Sequence, residues 1–302
     1  VRLTLIVLFL AAAFGLASAQ SANPKPPKAL PLDSNGNVVP PRAFPVAPGT
    51  ENSTNAATTN AAPPRATAVS PDEAAAAIPP PPVAGGVNVH WYGHGFIYLT
   101  SSVGIRCAID PFGTAQVHYK FPVHLAADMV LVTHESEDHS AADEIFGNPL
   151  IFRSVMAVGL DRANGIPFYG VELQKDPTGH GGENTAFTIS FDGVRFCYLG
   201  QINQPLTSEE RQQIGHVDVL FLPVGLQSLS VDELNQVAKD VGARIIIPVN
   251  YETDESGDIP LRTLADYLAG TKFPTVKIDN DEVAITRGSL PQEPTLYLLK
   301  SP

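Results

Sequence analysis

Met129-Val130-Leu131-Val132-Thr133-His134-Glu135-Ser136-Glu137-Asp138-His139 is the stretch that decides how this chain folds. Its first five residues form a continuous apolar run closed by a threonine, the pattern of a strand buried on both faces. Immediately afterwards come two histidines and an aspartate, the residue types that ligate metals or trade protons. Such groups at the end of a buried strand point to a site at one edge of a sheet. Alternation turns Glu135 and Glu137 away from a site shared by His134 and Asp138, so both are expected in solvent. Ser140–Phe146 is expected to form a short helix, with Ser140 as N-cap and Asp143-Glu144 in its first turn.

Working outward, three short β runs precede this stretch: Val87–Tyr92, Phe96–Thr100 and Gly104–Ile109. They are rich in β-branched and aromatic residues and are separated by glycines. After it, Thr185–Phe191 and Val194–Leu199 flank Asp192-Gly193, a hairpin turn signal. Thr207–Ile214 is expected to be a helix with a capping box from Thr207 to Glu210. Val217–Val224 and Arg244–Val249 read as strands, and Val231–Val241 as a helix ended by Gly242. A helix is expected over Leu261–Leu268 and a last strand over Thr295–Leu299. A β-rich start followed by alternating β and α elements fits two sheets packed face to face with helices outside.

The ends of the chain differ in composition. Residues 1–19 have Arg2, an apolar run and Ala17-Ser18-Ala19, the pattern of a secretory signal peptide. The run is shorter than the ~20 residues that span a bilayer. Residues 20–84 are rich in Pro, Ala, Asn, Ser and Thr and are expected to be a disordered Pro/Ala-rich tether. That leaves residues 85–302 as one folded domain. The expected location is therefore secreted or periplasmic, with no membrane span after signal cleavage. The net charge of −12 comes without any basic stripe, which argues against a nucleic-acid partner. Cys107 and Cys197 each sit inside an apolar strand-like run and are expected to be buried free thiols.

Ordered landmarks then narrow the reading. Trp91-Tyr92-Gly93-His94-Gly95 precedes Asp110-Pro111-Phe112, and Thr133–His139 follows. Later come Leu199-Gly200-Gln201-Ile202-Asn203-Gln204-Pro205-Leu206 and Ile247-Pro248-Val249-Asn250-Tyr251. The series resembles the metallo-β-lactamase superfamily, in its branch of small Zn-dependent hydrolases related to ascorbate-6-phosphate lactonase. The resemblance implies an α/β fold, a four-layer αββα sandwich, over nearly all of residues 85–302.

It also implies what is missing. In the family pattern T-H-x-H-x-D-H, the first two histidines and a later histidine hold one metal. The aspartate and last histidine, with the histidine of I-P-M-H-Y, hold the second, and the aspartate of L-G-D bridges both. Here His134, Asp138 and His139 match and are the candidate residual ligands. Ser136, Gln201 and Asn250 stand where the pattern has His, Asp and His. The best alignment puts Lys175 at the remaining histidine. His94 matches the family's G-H and is expected to line the pocket with Ser136, Lys175, Gln201 and Asn250. Catalytic zinc normally takes three protein ligands and an open position, so zinc is expected to be absent or weakly bound. Asp138 is a candidate general base only if a metal is present. His180 and Glu252 are weaker candidates for replacement ligands.

The resulting expectation is an exported protein of metal-dependent hydrolase ancestry that has lost catalysis and uses the old pocket for a small-molecule ligand or a partner, or keeps only the scaffold. The alternative is a hydrolase with one metal, acting on a small ester, lactone or phosphoester. Because Asp138 is placed to face a cation, Lys175 is expected near the vacated first metal position, in direct or water-bridged contact with Asp138 or the groups around His134; the alternative is a Lys175 that points to solvent from its loop.

Overall fold

The computed structural model describes residues 85–173 and 183–302. The expectations for the signal peptide, the tether, Lys175 and His180 lie outside the described residues.

Two mixed sheets form the core. The first has six strands: β1 Val87–Trp91, β2 Ile97–Thr100, β3 Arg106–Ile109, β4 Met129–Val132, β5 Leu150–Arg153 and β13 Glu282–Ile285. Their spatial order is β13-β1-β2-β3-β4-β5. The deciding strand, β4, lies parallel to both β3 and β5, with Met129 opposite Cys107 and Leu150. All four residues of β4 are buried, as its unbroken apolar run requires.

The second sheet has eight strands. Three antiparallel ones lead into it: β6 Gly159–Ala163, β7 Ile166–Glu172 and β8 Thr185–Phe191. Then follow β9 Val194–Tyr198, β10 Val219–Pro223, β11 Ile245–Val249, β12 Thr275–Lys277 and β14 Thr295–Leu298. The order is β12-β14-β11-β10-β9-β8-β7-β6. β9, β10, β11 and β14 run parallel; α1 Ser208–Ile214 connects β9 to β10, α2 Val231–Asp240 connects β10 to β11, and α3 Leu264–Gly270 leads from β11 to β12. Alternate residues of both sheets, among them Trp91, Leu99, Ile109, Leu131, Phe187, Phe196 and Ile247, share one buried cluster. The architecture is the α/β sandwich expected.

The capping box at Thr207 forms in both directions, and Ser230 and Glu233 make a second one at α2. α3 is capped by Thr263 and begins at Leu264, three residues later than expected. Both cysteines are free and buried.

The expected helix over Ser140–Phe146 does not form. Only Ala142–Glu144 makes a 3₁₀ turn, and Ala141 stands at its cap without a side-chain bond. Here tertiary packing overrides the local cap signal. Ala142 and Ile145 insert among Phe96, Tyr98, Phe112 and Val130, while Phe146 N donates to the Leu125 carbonyl at 2.7 Å. The layer over the six-stranded sheet is thus made by the 112–127 segment and this short turn, whereas helices cover the eight-stranded sheet. Among the described residues, no helix is long and apolar enough to cross a membrane.

Candidate metal centre

The site lies where strands of both sheets end. His94 follows β1, Asp110 follows β3, the 133–139 loop follows β4, Gly200-Gln201 follows β9 and Asn250 follows β11. His94, Asp110 and Asn250 all take positive φ, at 48°, 48° and 51°. Non-glycine residues adopt this region at a cost of about 1–3 kcal/mol, and they gather where a site constrains the backbone. The backbone also ties two of them together, since Asn250 N donates to the His94 carbonyl at 2.9 Å.

Asp138 is the hub. His94 Nε2 lies 2.9 Å from its Oδ2 and His139 Nδ1 lies 3.2 Å from its Oδ1. The Ser136 hydroxyl lies 3.3 Å from His139 Nδ1. Burial alone would raise the Asp138 carboxyl. Its contacts with His139 and His94 outweigh burial and hold it well below the usual carboxylate range. The Asn250 amide nitrogen lies 3.4 Å from His139 Nε2. The polar groups thus form a chain from Asn250 through His139 to Asp138, with Ser136 joining at His139 and His94 at Asp138.

A second chain supports the loop. Thr133 N donates to Asp110 Oδ1 at 2.7 Å, and Thr133 Oγ1 bonds Asp110 Oδ2 at 2.5 Å and His134 Nδ1 at 2.8 Å. Asp110 is fully buried, and burial pushes its carboxyl up to about 7, against the opposing pull of His139 and the Thr133 bonds. Burial and the neighbouring His139 push His134 down to about 3, so its imidazole is neutral. Burial also lowers His94, against the hydrogen bond to Asp138. Gly95 has no side chain because there is no room for one: a Cβ there would sit 2.7 Å from His139 Nε2 and 2.6 Å from the Tyr198 hydroxyl.

The structure therefore gathers His134, Ser136, Asp138, His139 and Asn250 with His94. The rings of His134 and His139 lie 4.4 Å apart, and those of His94 and His139 lie 4.6 Å apart. Gln201 joins through its backbone, its N–H donating to Asn184 Oδ1 at 3.1 Å. Glu135 lies in solvent, paired with Arg153 at 2.8 Å. Glu252 is exposed, with a backbone bond to Arg262. His94 is more central than a lining residue, for it grips Asp138 directly. Sequence reading missed the roles of Asp110, Thr133 and Asn184. Asp110-Pro111-Phe112 was the visible signal for the first of these.

Donor chemistry tests the fit of a metal. Ligand atoms of His94, Asp138 and His139 lie within 4.8 Å of one another, a group that leaves out His134. That set matches one cation by residue type. It does not match two. Ser136, Gln201 and Asn250 offer no imidazole or carboxylate, and the His139 nitrogens already face Asp138 and Asn250. The residues do not fit a dinuclear centre.

Comparison with known proteins places this geometry. A sequence model described as Beta-lactamase superfamily domain matches residues 88–250. A protein from Methanoregula boonei described as a metal-dependent hydrolase is 26% identical over 193 residues, covering 56% of this chain and 84% of the relative. A second, from Archaeoglobus fulgidus with the same description, is 24% identical over 196 residues, covering 55% and 84%. Among solved structures, a metallo-beta-lactamase superfamily protein from Thermotoga maritima is 25% identical. It matches with a TM-score of 0.55, over 71% of this chain and 100% of that one.

Proposed function

This chain belongs to the beta-lactamase superfamily, and from that premise we propose that it is a non-catalytic descendant of metal-dependent hydrolases, its former metal pocket serving a small polar ligand. One observation carries the reading: Asp138, the residual ligand expected to face a cation, is held by two imidazoles, His94 Nε2 at 2.9 Å and His139 Nδ1 at 3.2 Å. A buried carboxylate without a cation is costly unless it is paired or hydrogen-bonded. Those imidazoles supply what a second metal supplied in the family pattern. The site can then stay folded and charged without an ion.

Buried polar atoms remain for a ligand. Among the described residues, His134 Nε2, His94 Nδ1 and Asn250 Oδ1 have no hydrogen-bond partner. A neutral imidazole and an amide carbonyl suit a small neutral molecule with both donors and acceptors. The Arg2-led apolar stretch and Ala17-Ser18-Ala19 support export as part of this reading.

A second reading rests on the grouping of His94, Asp138 and His139 within 4.8 Å. One divalent ion held there would polarise a substrate carbonyl or phosphoryl oxygen. Elemental analysis of protein purified without chelators or a histidine tag, together with a panel of ester, lactone and phosphoester substrates, separates the two. The non-catalytic reading expects substoichiometric zinc, manganese and iron, and no turnover. One tightly held ion per chain with turnover that chelators abolish would establish the second reading instead.

A further inference from the structure

The segment that joins the two sheets carries most of the apolar surface left open. Phe146, Leu150, Ile151, Met156, Val158 and Leu160 are six of the nine exposed large hydrophobic residues described. Met156 is 88% exposed and Leu160 76%. β5 is the last strand of the six-stranded sheet and β6 the last strand of the eight-stranded one. Open sheet edges with apolar side chains are templates for another strand, and proteins generally blunt them with charge, proline or a cover. This one is not blunted at Leu160.

The hairpin fixes which groups are free. β6 and β7 are joined by Asn164-Gly165, with φ of 50° and 83°, the double positive φ of a type I′ turn. In such a two-residue hairpin the flanking pair, Ala163 and Ile166, exchanges ladder bonds. Alternation then turns Gly159, Asp161 and Ala163 toward β7 and the backbone groups of Leu160 and Arg162 outward. Arg162 N already donates to the Asp161 carboxylate at 2.7 Å. Among the described residues no group pairs with the N–H or the carbonyl of Leu160, and both face outward from β7.

We propose that β6 is a dimer interface, at which the β6 of a second copy of this chain adds antiparallel across a two-fold axis through Leu160. A strand paired with itself in a continuous sheet has its axis normal to the sheet, so one residue meets its own copy. At Asp161 that would oppose two carboxylates. At Arg162 it would oppose two guanidiniums and would need an N–H that is already donated. At Gly159 no side chain would fill the centre. At Leu160 the two leucines meet, both open backbone groups gain partners, and Arg162 of each copy lays its stem over Val158 of the other. Charge agrees with this choice of occupant. The chain carries −12, so copies repel over most of the surface. Residues 146–163 hold only Arg153, Asp161 and Arg162 as charged groups, and copies can meet there without like charges in direct opposition.

Sedimentation equilibrium of the full chain tests the association. The wild type should run at twice the single-chain mass. Leu160→Asp should run at the single-chain mass with unchanged circular dichroism, since the side chain is exposed. A cysteine pair tests the register. Directly opposed Cα atoms in a hydrogen-bonded pair lie about 5.5 Å apart, inside the range of about 4.4–6.8 Å that a disulfide needs. Mild oxidation should therefore cross-link Leu160→Cys into a dimer and leave Asp161→Cys single. Cys107 and Cys197 are buried and do not compete. A monomeric wild type would overturn the proposal and leave the apolar stripe to a different occupant. A dimer that survives Leu160→Asp, or equal cross-linking from both positions, would overturn it as well.

Discussion

Replacing Asp110 by asparagine should stabilise this protein at alkaline pH, although it removes a fully buried group with two hydrogen bonds. Asp110 has no solvent contact, and burial raises its carboxyl from the ordinary value of 3.8 to about 7. The folded state therefore holds a proton that the unfolded chain has lost between those two values. A raised carboxyl contributes stability that is present below pH 3.8 and lost as pH rises through 7. At about 1.4 kcal/mol per unit over about three units, the loss is about 4 kcal/mol. His134 has the opposite effect. Its folded value of about 3 lies below the ordinary 6.5, so its contribution is present above 6.5 and falls away toward pH 3. Through the window from about 4 to 6.5 the two slopes oppose, and the wild-type profile should be nearly flat as far as these groups set it. Asp110→Asn keeps an oxygen for Thr133 N–H and offers an N–H to Thr133 Oγ1 in place of the carboxylate. It removes only the falling slope. Urea unfolding followed through Trp91, the one tryptophan and a buried one, should show the variant's stability rising from pH 4.5 to 6.5. At pH 8 the variant should exceed wild type by about 2–4 kcal/mol, the shift above less some loss of hydrogen-bond strength. A variant less stable than wild type at pH 8 would show that Asp110 works as an ionised acceptor and would refute the reasoning.

Further outcomes follow from the same geometry. His94→Ala removes one of the two imidazoles that hold Asp138 and should cost about 1.5–3 kcal/mol in urea unfolding, the range for a hydrogen bond to a charged group; an unchanged midpoint would remove His94 from the hub. Gly95→Ala places a methyl against His139 Nε2 and the Tyr198 hydroxyl and should cost about 1–3 kcal/mol by overpacking, read as a lower melting temperature. The combined Ser136→His, Gln201→Asp and Asn250→His variant restores three ligands of the family pattern and should gain a zinc-dependent rise in melting temperature that wild type lacks. A rise of the same size in wild type would contradict the loss of the dinuclear centre.

Much of this fold could be read from sequence because its buried strands carry continuous apolar runs. Met129–Val132 and Ile245–Val249 are such cases, and both are buried throughout. The capping boxes were local and equally plain. Strands at open edges gave no such signal. β5, β6 and β12 are largely exposed, and β7 carries Pro167, which argues against a strand when read alone. Asn164-Gly165 was the one local cue that could have revealed the β6–β7 hairpin. At the site, the ordered motifs brought the right residues together, since strand ends in one fold converge. They did not reveal His94 as the partner of Asp138. The two lie 44 positions apart, and only the turn after β1, with His94 held at positive φ, aims the ring at the carboxylate.

The central claim, that protein donors satisfy Asp138 where the family pattern has metal, can be read from the histidine side chains by long-range ¹H–¹⁵N correlation NMR. The chain has only eight histidines, and His94 and His139 can be assigned by substitution. At pH 7.5 the account predicts His94 neutral and protonated on Nε2, with the spectra of both rings unchanged by equimolar zinc. Zinc-induced shifts at the nitrogens of both residues would contradict it.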